Sequence, residues 1–203
     1  MARFRSAYCV RGLSVRALFQ VARLVSPRHK ISGFEVVNFL HGSSVSDEEY
    51  VRLTEAIHLI ARYSSRYMRW LQSGIRYFAI ERSGVWASYH AFSRVCGLDP
   101  VVLRWKPESI AVLIVHEATH ARLWDMGFVS NRRNRDRIEH ICVSAEIDFA
   151  KKLPNGDALV QWANKRLWVG GDTETQTNVR RITRMKWSGV PDWMIRVVKW
   201  LGH

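Results

Sequence analysis

Residues 116 to 120 read His116-Glu117-Ala118-Thr119-His120, the pattern H-E-x-x-H. With eight His and ten Glu in 203 residues, chance supplies roughly 0.015 such matches, so coincidence explains the pattern poorly. The chemistry favours a metal. Residues four apart project from one face of a helix, about one turn along its axis. Two imidazoles so placed can bind one zinc ion from the same side. The Glu between them stands where it can hold a water at the metal rather than bind the metal itself. An apolar run, residues 110–115, precedes the motif, and its spacers are small or uncharged. The motif helix is therefore expected to be buried on most of its surface, where two His and a Glu are costly to desolvate without a partner such as a metal ion. Away from a metal, the same residues would be a solvated or internally bonded His/Glu pair.

The elements that must position these groups are partly written in the local sequence. Pro107 and Glu108 suit a first helical turn, and Gly127 suits a stop, so the motif helix is expected to run between them. A second helix is expected over residues 135–153, ended by Pro154-Asn155-Gly156. Upstream, Ser46-Asp47-Glu48-Glu49 has the form of a capping box. Apolar residues then recur at helical period from Leu53 to Leu71, which predicts one long helix over residues 47–71. Residues 75–80 and 85–92 are rich in β-branched and aromatic side chains, and Ser83-Gly84 between them predicts a hairpin, with a further strand at 101–105. Residues 13–25 have helical spacing, and the stretch after residue 156 reads as two or three helices. The expected class is α+β, mostly helical, with a small antiparallel sheet before the motif helix and a second helix after it.

The motif and the residues downstream of it resemble the zincin metallopeptidases, and among them the gluzincins. In the zinc aminopeptidases of that group the pattern is HExxH, eighteen residues, then a Glu ligand. Here eighteen residues separate His120 from Glu139. The likeness is local, over about residues 107–150, and is to a small single-domain gluzincin. It implies a zincin-like fold and one zinc ion held by His116, His120 and Glu139. It also implies peptide hydrolysis, with Glu117 as general base to a zinc-activated water and as proton donor to the leaving amine.

Other third ligands stay open. Glu146 lies seven residues after Glu139, on the same helix face, while His140 points about 100° away. If Glu139 binds the metal, Glu146 can accept a hydrogen bond from the remote nitrogen of a ligand His. Its plainer role is a surface charge near Lys151 and Lys152. Cys142 could approach the metal, but a core thiol is the commoner use of such a residue.

The chain departs from larger gluzincins in two respects. Val143 stands where some carry an Asp, and no Tyr lies after the motif to stabilise an oxyanion. The electrophile would come from Arg180, Arg181, Tyr89 or His90, or be missing. Substrate is expected along an edge strand, for which residues 85–92 are the candidate.

Lys and Arg number 31 against 18 Asp and Glu, a net charge of +13. Such a balance favours an anionic partner: nucleic acid, an acidic surface or an acidic polypeptide. Arg132, Arg133, Arg135 and Arg137 fall between the two expected ligand helices and would favour an acidic substrate, or serve only as a solvated loop. Trp193 and Trp200, seven residues apart, fit the core face of a terminal helix. The first acidic residue is Glu35. Residues 1–34 thus read as a basic arm, with organelle targeting one possible use, and residues 35–203 as one domain. Three cysteines without a CxxC pair suit a reducing, cytoplasmic setting. Six aliphatic residues, 110–115, are the longest such run and cannot cross a bilayer. The alternative to a peptidase is a non-catalytic basic adaptor for nucleic acid or an anionic membrane, with the zinc site structural or vestigial.

Overall fold

A computed structural model of the protein describes residues 20–21, 23–24, 26–40, 45–131 and 133–168. Most of the helix expected at 13–25, Arg132, Arg180, Arg181, Trp193 and Trp200 lie outside the described residues. The described residues form an α+β fold of five helices and one five-stranded mixed sheet.

Strands β1 (Arg28–Ile31) and β2 (Phe34–Asn38) form an antiparallel hairpin. Its two turn residues, Ser32 and Gly33, both have positive φ, 48° and 86°, the geometry whose twist matches paired strands. Ile31 and Phe34 are buried in the main core. The domain boundary expected at residue 34 therefore cuts through a hairpin, and residues 28–33 belong to the sheet.

Helix α1 (Asp47–Tyr63) starts at the expected capping box: the Glu49 amide donates to Ser46 Oγ at 3.2 Å and the Ser46 amide to Glu49 Oε2 at 2.9 Å. Its buried stripe is Tyr50, Leu53, Ala56, Ile57 and Ile60. The single helix expected over 47–71 is two helices. Ser64 leaves the helical conformation (φ −155°, ψ 94°), donates its amide to Ile60 O, and caps the amide of Tyr67 with its hydroxyl. Serine competes for backbone partners in this way, ending one helix and starting the next. Helix α2 (Ser65–Gly74) then buries Tyr67 and Leu71.

β3 (Tyr77–Ile80), β4 (Ala87–His90) and β5 (Val95–Leu98) complete the sheet, in the order β1-β2-β3-β5-β4. β2, β3 and β5 run parallel, and β4 pairs antiparallel with β5 at the edge. Two expectations fail here. The sheet is mixed rather than antiparallel, and β3 does not pair with β4, because β5 lies between them. The four residues of β3 are fully buried, as befits a central strand covered on both faces. Nor do residues 101–105 form a strand. Asp99 accepts the amides of Val101 (side chain, 3.0 Å) and Val102 (carbonyl, 2.9 Å), winding Val102–Arg104 into a 3-10 turn.

Helix α3 (Pro107–Asp125) carries the motif, with Pro at its start. It ends as Gly127 turns left-handed (φ 85°) and Phe128 donates back to Leu123 O. Helix α4 (Arg135–Ala150) packs along α3, and α5 (Asp157–Trp168) packs on α4. The core fills the space between α1–α4 and one face of the sheet, where Val36, Phe78, Ile80, Cys96 and Leu98 point. Among the described residues, no helix is long and apolar enough to cross a membrane.

Candidate metal centre

α3 is buried all round: each residue from Ile110 to Thr119 is at most 6% exposed. Four neighbours achieve this. The sheet, α1 and α4 pack along it, and α2 crosses so closely that a Cβ on Gly74 would sit 2.6 Å from the Cβ of Ala121. The turn after β4 is tied to the end of α3, through Phe92 stacked edge-on against Trp124 (5.2 Å) and through the Arg94–Asp125 ion pair. The motif is thus fixed on a rigid element, and the edge strand β4 lies against it.

His116 and His120 turn their Nε2 atoms toward each other, 3.1 Å apart. Across the groove, α4 supplies Glu139, with Oε2 at 3.4 Å from His116 Nε2 and Oε1 at 3.5 Å from His120 Nε2. In a tetrahedral site with bonds of about 2.0–2.1 Å, neighbouring donors are about 3.4 Å apart. These two nitrogens and the Glu139 carboxylate therefore have the spacing and donor chemistry of a metal site. Two turns along α4, Glu146 is fully buried and its Oε1 accepts from His116 Nδ1 at 2.5 Å. That bond leaves His116 Nε2 as the nitrogen facing His120 and Glu139. Glu146 is not a surface charge beside Lys151 and Lys152. His140 is exposed and takes no part in the cluster.

One residue read as core packing has a second aspect. Cys142 is fully buried, against Leu123 and Ile138, as expected. Yet donor atoms of His116, His120 and Cys142 all lie within 4.8 Å of one another. Spacing carried the signal, since residues 139, 142 and 146 share one face of α4.

Electrostatics bear on what the cluster holds. Burial disfavours charge on His116, but hydrogen bonds to Glu139 and Glu146, with the charges of Glu146 and Glu117, raise it to about 10. Burial and the neighbouring His116 push His120 down to about 4. Against burial, His116, His120 and Arg135 hold Glu139 down to about 2. Burial lifts Glu117 to about 7; His116 and His90 oppose this, and Glu139 and Glu146 add to it. The carboxyl groups of Glu117, Glu139 and Glu146 thus draw positive charge to His116, charge that a cation could carry in place of its proton.

The expected electrophiles are differently employed. The Tyr89 hydroxyl donates to Gly74 O at 3.4 Å, and burial pushes it up to about 12. Its neighbour His90 points to the other sheet face, with Nε2 at 2.7 Å from Glu81 Oε1 and 3.2 Å from Ser88 Oγ. Of the arginines expected between the ligand helices, Arg133 is exposed in the loop, whereas Arg135 and Arg137 lie in the first turn of α4, Arg137 exposed and Arg135 half-buried near Glu139. No family model matches this chain, and no curated protein or solved structure matches it.

Proposed function

We propose that this protein is a zinc-dependent metallopeptidase of the gluzincin type, with a zincin-like fold. One arrangement supports this above all: Nε2 of His116, Nε2 of His120 and the Glu139 carboxylate converge at 3.1–3.5 Å, while Glu146 holds the far nitrogen of His116. His116, His120 and Glu139 would hold the ion. Zinc, when bound, supplies a Lewis acid that polarises a carbonyl and makes water acidic near neutral pH. Glu117 is the general base. Its buried carboxyl, lifted to about 7, accepts a proton from the attacking water and passes it to the leaving nitrogen near neutral pH. Glu146 orients the His116 ring and keeps its Nε2 toward the ion. The edge strand β4, antiparallel to β5 and lying against α3, is the element along which an extended peptide would pair. Arg135 places positive charge near Glu139, and the exposed Arg133 and Arg137 add to it at the start of α4, which favours an acidic peptide.

Metal analysis tests the core of this proposal. Purified protein is expected to carry about one zinc per chain. His116→Ala and His120→Ala should each empty the site. Stoichiometric zinc in the double variant would overturn the assignment.

A further inference from the structure

We propose that Cys142 is a fourth protein donor to the metal ion, so that its thiolate competes for the position a hydrolytic site leaves to water. This inference rests on the metal-centre reading and adds a means of controlling it.

Cys142 lies three residues after Glu139 and four before Glu146, so α4 turns all three toward α3. Its donor atom and those of both motif histidines lie within 4.8 Å of one another. With a nitrogen at about 2.05 Å and a sulfur at about 2.3 Å from one ion, a tetrahedral N–S edge is about 3.6 Å. The gap to close is therefore at most about 1.2 Å to either imidazole, within reach of the single χ angle of cysteine.

Charge points the same way. Cys142 is fully buried beside Leu123 and Ile138. A thiolate there is costly unless a cation meets it. A divalent ion held by two neutral imidazoles, one carboxylate and one thiolate has a neutral inner shell, which suits a site this deeply enclosed. Thiolate is also the ligand zinc prefers in closed, structural sites. With Cys142 bound, the centre is latent; with the thiol withdrawn, the same three remaining ligands leave a position open.

Cobalt(II) substituted for zinc in the full chain separates the outcomes. The wild-type protein should show visible d–d bands of a tetrahedral ion together with a near-ultraviolet thiolate-to-cobalt charge-transfer band. Cys142→Ser should keep the visible bands and lose the charge-transfer band. It should weaken metal binding by at least the roughly 10–100-fold that loss of an outer-shell partner costs. Visible bands without the charge-transfer band in wild type would overturn the proposal and leave the metal centre standing. A charge-transfer band that survives Cys142→Ser would overturn it too, assigning the thiolate to another cysteine. No cobalt bound, or binding indifferent to His116→Ala, would overturn the metal centre and this proposal together. Should Cys142→Ser fail to fold, Cys142→Ala serves for the comparison, and the wild-type spectrum alone still reads the presence of thiolate.

Discussion

Glu117 and Glu146 both act on His116 and are expected to fail in different ways. Glu117→Gln keeps volume and removes the group that accepts a proton. Zinc content and melting temperature should hold, while peptide hydrolysis falls by about 10²–10⁴-fold. Full activity in this variant would remove Glu117 from the role of base. Glu146→Ala strips the partner from a buried imidazole N–H, a loss of about 1–3 kcal/mol. It should also weaken zinc binding by about 10–100-fold. Glu139→Ala should weaken binding further, because Glu139 touches both Nε2 atoms while Glu146 touches only the remote nitrogen. Competitive chelator titration of the two variants decides their order. If Glu146→Ala empties the site and Glu139→Ala does not, the two roles are exchanged.

Among elements, the crossing of α2 over α3 controls how well the ligands are aimed. Gly74 meets α3 at Ala121, the residue after His120. Gly74→Ala would force two methyl groups to 2.6 Å, which the helices relieve by moving apart at a cost of about 1–3 kcal/mol. A lower denaturant midpoint and weaker zinc binding are expected together. Adding Ala121→Gly should recover most of both losses, since the clash lies between these two side chains. Additive losses in the double variant would show that the crossing does not set the site. The break at Ser64 belongs to the same scale. A hydrophobic period running from Leu53 to Leu71 describes one stripe, but it carries no information on whether the axis stays straight. A serine that bonds its own backbone bends the chain without disturbing the stripe.

For the whole molecule, the metal-free protein is expected to hold a proton where the ion would go. His116 is raised from 6.5 to about 10, so it is protonated at neutral pH, while His120, lowered to about 4, is already neutral. Binding zinc must therefore expel the His116 proton, and a second from Cys142 where its thiolate joins the metal. Apparent zinc affinity should rise roughly tenfold per pH unit from about pH 7 to pH 8.5 for the His116 proton alone, and more steeply with the thiol proton added. Calorimetry in buffers of different ionisation enthalpy reads the released proton directly, and a pH-independent affinity would contradict this account. The sign for the metal-free fold is opposite. A group whose folded pKa is raised stabilises the fold fully below its unfolded value, near 6.5, and that contribution fades as pH climbs toward about 10. Removing zinc with a chelator should lower the melting temperature, by an amount that grows with the zinc concentration it replaces. At 100 times Kd the bound ion is worth about 2.7 kcal/mol.

Some of this was decided within a few residues of chain. The HExxH spacing puts two imidazoles on one face wherever the helix goes, and the capping box, Pro107 and Gly127 mark helix ends through bonds to neighbouring backbone. Spacing also put Glu139, Cys142 and Glu146 on one face of the next helix. It did not say which of them would meet which imidazole nitrogen, because periodicity specifies direction around an axis and not the distance or stagger between two axes. That depended on α4 packing beside α3, which set Glu139 at the two Nε2 atoms, Glu146 at Nδ1 and Cys142 within reach. Strand order was likewise out of local view. A β-rich stretch reads the same whether its partner is the next strand or the one after, and only long-range pairing placed β5 between β3 and β4 and left β4 at the edge beside the motif helix.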